Sequence, residues 1–159
     1  MAINSASAYL SKSYDCLILV HPHIKVLERI SDEFQELGIA HLNVSKALSA
    51  SLMAVSTSER DRFSQECLID SLSEFPNSPV LCTCPDLLFD PSLAVDPLAL
   101  FRKAARVKKL IVCWPGDFSA NTLSYAVPEH HHFRTWKISE DSLRQPEVLI
   151  QRLPNTQGA

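Results

Sequence analysis

Four short apolar runs alternate with stretches of helical periodicity, and that alternation leaves few folds open. The runs are "YDCLILV" (14–20), "IAHLNV" (39–44), "SPVLCTC" (78–84) and "KLIVCW" (109–114). Each has strand length, and near-continuous apolarity means burial on both faces. Between the first two, Ile24, Leu27, Ile30, Phe34 and Leu37 recur at spacings of three and four, followed by Gly38 as C-cap. That is an amphipathic helix. "SKALSASLMAVS" is a short helix with Ser45 as candidate N-cap. Residues 56–75 form another, with Ser58 as candidate cap and Phe63, Cys67, Leu68 and Leu72 on one face. Residues 96–109 form a third, with Asp96 as N-cap and Pro97 at its first position. Strands alternating with helices predict an α/β fold: a mostly parallel sheet of about five strands with helices on both faces.

The rest of the chain adds less. "PGDFSANTLSYAVPEHHHFRTWKI" gives a turn after the fourth strand and two short strand-like pieces, around 122–126 and 133–138. A short helix is expected near 146–152. Residues 1–13 read as a short helix or a loose arm, and 153–159 as a frayed tail. The 159 residues suit one domain.

Charge and apolar patterning exclude several classes of function. The formal charge is −3, so no global basic field exists to hold a nucleic-acid backbone. No apolar run approaches the roughly 18–20 residues needed to cross a bilayer. The first residues carry no charged region followed by an apolar one, so a cytoplasmic protein is expected. Of five cysteines, Cys16, Cys82, Cys84 and Cys113 lie in apolar runs, which fits buried free thiols better than a disulfide framework.

Ligands of parallel sheets sit at the carboxyl ends of the strands. The first strand ends in "VHPHIKVLER". A strand running into a helix is how a phosphate-binding loop begins, yet no glycine is present here. Only Gly38, Gly116 and Gly158 occur in the whole chain.

The second half carries a resemblance. "LLFDPSLAVDPLALFRKAARVKKLIVCWPGDFSANTLSYAVPEHHHFR" resembles the small P-loop BrxF family of type III BREX (bacteriophage exclusion) systems. The matching residues are Leu87 to Leu93, Asp96 to Leu98, Trp114 to Gly116, Leu123 to Ala126, Pro128, His130, Phe133 and Arg134. The resemblance implies a three-layer P-loop-NTPase-like fold, with the fourth strand between the first and the third.

The departures from that family fall on its chemistry. A Walker A loop gathers backbone N–H groups on phosphate oxygens through its glycines, and supplies a lysine and a Mg²⁺-binding hydroxyl. Here His21, Pro22 and His23 stand where glycine would be. The loop is about four residues short of that motif, and Pro22 offers no donor. Lys25 is followed by Val26, so the hydroxyl is gone. In register with the family, Thr83 takes the place of the Mg²⁺-binding aspartate and Asp86 that of its acidic partner. Phosphoryl transfer is mostly positioning and charge stabilisation, so these losses imply a pseudo-NTPase that needs no cofactor.

Other constellations invite other readings. His21, His23, Cys84 and Cys113 are the candidate ligands of a zinc-stabilised module. Lys25 and the N-terminus of its helix are what a residual nucleotide-binding module or weak NTPase would use. The cations of 102–109 complement a helix dipole, so DNA contact is not expected. Trp114, His130 and Arg134 are the candidate partner contacts. The expected role is that of a scaffold or regulator in a BREX-like defence system, docking on a large ATPase, methyltransferase or phosphatase-like subunit.

Overall fold

The computed structural model describes residues 15–77, 79–91, 95–126, 130–139 and 148–153. The expected arm at 1–13 lies outside them, as does nearly all of the expected tail. Five strands form a parallel sheet in the order β2-β3-β4-β1-β7. They are β1 (Cys16–His21), β2 (Ala40–Asn43), β3 (Val80–Thr83), β4 (Leu110–Ser119) and β7 (Val148–Arg152). β4 lies between β1 and β3, as expected. β5 (Thr122–Tyr125) and β6 (Arg134–Lys137) extend β4 as an antiparallel meander, which makes seven strands in all.

Alternation along β1 divides the core. Cys16, Ile18 and Val20 face one side with helices α2 (Val44–Met53), α3 (Arg60–Ser73) and α4 (Pro97–Ala104). Leu17 and Leu19 face the other side, against Leu27 and Phe34 of α1 (Ile24–Glu36). Period-two side chains on a doubly covered strand require this split. Leu27 and Phe34 are the buried apolar residues of α1, whereas Ile24 and Leu37 lie more than half exposed. Gly38 takes φ +87, and the N–H groups of Gly38 and Ile39 donate to Gln35 and Phe34 carbonyls. This is a Schellman ending, which left-handed glycine permits.

Several local expectations need correction. The residues expected to form a helix near 146–152 include β7, whose apolar Val148 and Ile150 alternate into the core beside β1. Its five residues are too few to signal a period clearly. Ser45 does not cap α2. Asn43 does, its Oδ1 accepting from the Lys46 N–H at 3.0 Å. Ser58 does not cap α3 either; a 3₁₀ turn, Thr57–Glu59, precedes that helix. Asp96 does cap α4, accepting from the Ala99 N–H at 3.2 Å, but the helix ends at Ala104 rather than 109.

β4 also runs beyond the expected strand end at Trp114, through "PGDF" to Ser119, and the expected turn follows it. The chain reverses at Ala120 and Asn121, with φ of +49 and +59. Two consecutive left-handed residues suit the twist of a tight hairpin. Gly116 serves close approach instead: a Cβ there would lie 1.8 Å from the Ser124 carbonyl oxygen. Asp117 on this extended strand pairs with Arg152 of β7 at 2.9 Å.

Candidate functional site

The carboxyl ends of the parallel strands carry a cleft of 410 Å³, in the range of small-ligand pockets. One wall is α1, through Ile24, Leu27, Glu28, Ser31, Asp32 and Gln35. The other is the end of β3 and the segment that follows it, Thr83 to Asp86. His41, Asn43, Cys113 and Pro115 complete it from β2 and β4.

The β3 end is built around a reversal at Cys84, which has φ 52 and ψ 57. Ser45 holds it: both its N–H, at 3.0 Å, and its hydroxyl donate to the Cys84 carbonyl. The Leu87 N–H in turn donates to Ser45 Oγ at 3.1 Å. A 3₁₀ helix, Pro85–Phe89, follows at once. The left-handed residue takes Cys84 out of the strand alternation. Cys82 therefore packs in the core while Cys84 is exposed at the cleft, not on a shared face as period two predicts.

Thr83 and Asp86, which the resemblance sets in the places of two acidic residues, are both engaged. Thr83 Oγ1 lies 2.5 Å from His41 Nε2. Burial holds the His41 imidazole below its ordinary pKa, favouring the neutral ring. Asp86 Oδ1 accepts from the Tyr125 hydroxyl at 2.9 Å. Burial, and then the Asp86 charge, push that phenol up from its ordinary value.

The residues that the resemblance sets in place of a Walker A loop sit differently. His21 is not a loop residue but the last residue of β1, 1% exposed, and its Nδ1 accepts from the His23 N–H at 2.9 Å. Only Pro22 and His23 separate β1 from α1, because the helix begins at Ile24. Pro22 has no N–H and that of His23 is taken. Lys25 is exposed on the first turn and does not line the cleft. Glu28, Asp32 and Asp86 do line it, and among the described residues no lysine or arginine does. A triphosphate would meet carboxylates rather than a cationic cradle.

The zinc candidates are not gathered. Cys84 and Cys113 border the cleft, but His21 and His23 do not. Among the described residues, no group of three or more histidine, cysteine or acidic side chains is placed to hold a metal ion.

Trp114 requires a correction. It is fully buried rather than at the rim, and its Nε1 donates to the Ser124 carbonyl at 2.9 Å. It lies edge-on to Phe89 at 4.8 Å and to Trp136 at 5.3 Å, so it supports the site from within. Phe89 stacks on Tyr125 at 3.7 Å. Arg134 is held inside the same unit: it donates to the Val95 carbonyl at 3.0 Å and covers the Trp136 ring. His130 is exposed and packs edge-on to Tyr125 at 5.6 Å, leaving it the outward-facing member of the three candidate contacts.

Sequence reading missed His41, Asn43 and the acidic side of α1. Glu28 and Asp32 are four residues apart and so share a helix face, a signal that only the position of the cleft makes meaningful. Comparison with family models, with curated proteins and with solved structures returns no match.

Proposed function

We propose that this chain is a non-catalytic P-loop-fold protein, an accessory component of a BREX-like antiphage defence system that acts through contacts with other proteins. The observation that carries this reading is the two-residue connection between β1 and α1, in which no amide is left to face a phosphate. A phosphate loop works by converging several backbone N–H groups at a helix N-terminus. Pro22 and His23 provide none. In the strand order β2-β3-β4-β1-β7, β4 lies between β1 and β3, as the resemblance leads one to expect. The resembling segment from Leu87 to Arg134 includes Phe89, Trp114 and Tyr125, three members of an aromatic block that Trp136 completes. That block packs the meander against the 3₁₀ helix and β4, and Tyr125 links it to Asp86 at the cleft.

Two measurements test the reading. Calorimetry of the full chain with Mg·ATP and Mg·GTP should show no binding. Micromolar binding that disappears in Lys25→Ala would replace this proposal with that of a nucleotide-binding module. Tagged chain expressed with the genes that flank its own should co-purify with a large ATPase, methyltransferase or phosphatase-like subunit. Recovery of the chain alone would overturn the accessory role.

A further inference from the structure

We propose that the cleft receives an arginine side chain presented by a protein partner. This deepens the reading above and rests on it for the identity of the occupant as protein. The cleft is concave, lies at the strand ends where ligands of parallel sheets sit, and has a volume of 410 Å³. Its lining combines two chemistries. Ile24, Leu27 and Pro115 give an apolar wall, with Ile24 56% exposed although it opens the helix beside the cleft. Glu28, Asp32 and Asp86 supply carboxylates, and among the described residues no lysine or arginine lines the cleft to oppose them.

An occupant must therefore join an apolar stem to a positive head. That excludes nucleotides and acidic peptides, and it fits the long basic side chains. Arginine fits better than lysine. Its planar fork carries five donors that can reach acceptors in several directions at once, and it is less strongly hydrated than an ammonium. Asp86 has one oxygen bonded to the Tyr125 hydroxyl, which orients the carboxylate. Ser45 holds the backbone that carries it, through Cys84 and Leu87. The acceptor is thus positioned before the partner arrives, which reduces the ordering that binding would require.

The test is titration of the full chain with N-acetyl-arginine amide, followed by amide NMR. Shifts should concentrate on 24–35 and 83–86 and should fade as salt is raised. The neutral citrulline analogue should produce none. In the double variant Glu28→Gln/Asp32→Asn, whose carboxylates are exposed, binding should weaken roughly three- to tenfold, the range that two exposed ion pairs support. Equal response to citrulline, shifts lying elsewhere, or an unchanged double variant would overturn the proposal. Equal affinity for the lysine analogue would overturn the choice of guanidinium. A partner captured equally by wild type and double variant would sink the arginine cleft while leaving the accessory role standing. Arginine binding in a chain that captures no partner would do the reverse.

Discussion

The backbone N–H of His23 donates to Nδ1 of His21, at 2.9 Å, across the two-residue step from β1 into α1. The bond closes the strand–helix junction on itself. In a phosphate loop the corresponding donors point outward to a ligand; here a side chain 1% exposed has taken the role of the anion. The junction is thereby structural, and the cleft at the strand ends lies beside it, between α1 and the end of β3.

His21→Ala should lower stability by about 2 kcal/mol, from a lost hydrogen bond and a void at a buried site. Urea unfolding measures the loss. The variant should gain no affinity for Mg·ATP, because a freed His23 amide is one donor beside a proline. Nucleotide binding by the variant would show that the histidine merely plugs a working loop.

Gly116→Ala should be among the most damaging small substitutions. The added methyl would lie 1.8 Å from the Ser124 carbonyl oxygen, a backbone atom with no room to yield. Separation of β4 from β5 would break the setting of Trp114, whose Nε1 donates to that same oxygen. A cost of about 3 kcal/mol or more is expected. Thermal unfolding and the near-ultraviolet signal of the tryptophans report it.

Stability should fall as pH drops through about 6.5, the ordinary histidine value. Burial lowers the His41 pKa in the folded chain. The unfolded chain therefore takes up a proton first, and protonation draws the equilibrium towards it until the folded value is also passed. Above the ordinary value both forms are neutral and this dependence vanishes. His41→Asn should have a shallower stability slope than wild type across that window, by urea midpoints at a series of pH values. An unchanged slope would show that His41 contributes nothing to it.

Alkylation should discriminate among the cysteines. Cys84 is exposed, while Cys16, Cys82 and Cys113 are buried. Burial pushes the Cys16 and Cys113 thiols up to about 12 and the Cys82 thiol higher still. The thiolate is the reacting form. Iodoacetamide applied to native protein should mark Cys84 first, and the three buried thiols only after denaturant is added. Mass spectrometry of peptides reads the order.

Much of the architecture was legible because it depends on local periodicity. β1 declared itself through unbroken apolarity, α1 through Leu27 and Phe34, and α4 through Asp96 followed by Pro97. Capping proved harder where two polar residues competed. Ser45 is a good cap in isolation, but its hydroxyl is drawn to the Cys84 carbonyl, distant in sequence, and Asn43 takes over. β7 was misread for the same kind of reason. A short apolar stretch becomes a strand when a vacant edge of β1 lies beside it. Gly116 of "WPG" lies within β4 and answers to a neighbouring backbone rather than to a bend.

The sequence by itself determined the class of fold and the lack of a glycine-rich, donor-rich turn between β1 and α1. Both follow from residue type along the chain: apolar period, missing glycines, and a proline without a donor. Tertiary structure alone decided where Trp114 goes, that His41 meets Thr83, and that the carboxylates of α1 face Asp86 across a cleft. These are relations between segments far apart in the chain. They depend on the order in which strands pair and on which face each helix covers, and no spacing along a single element encodes them.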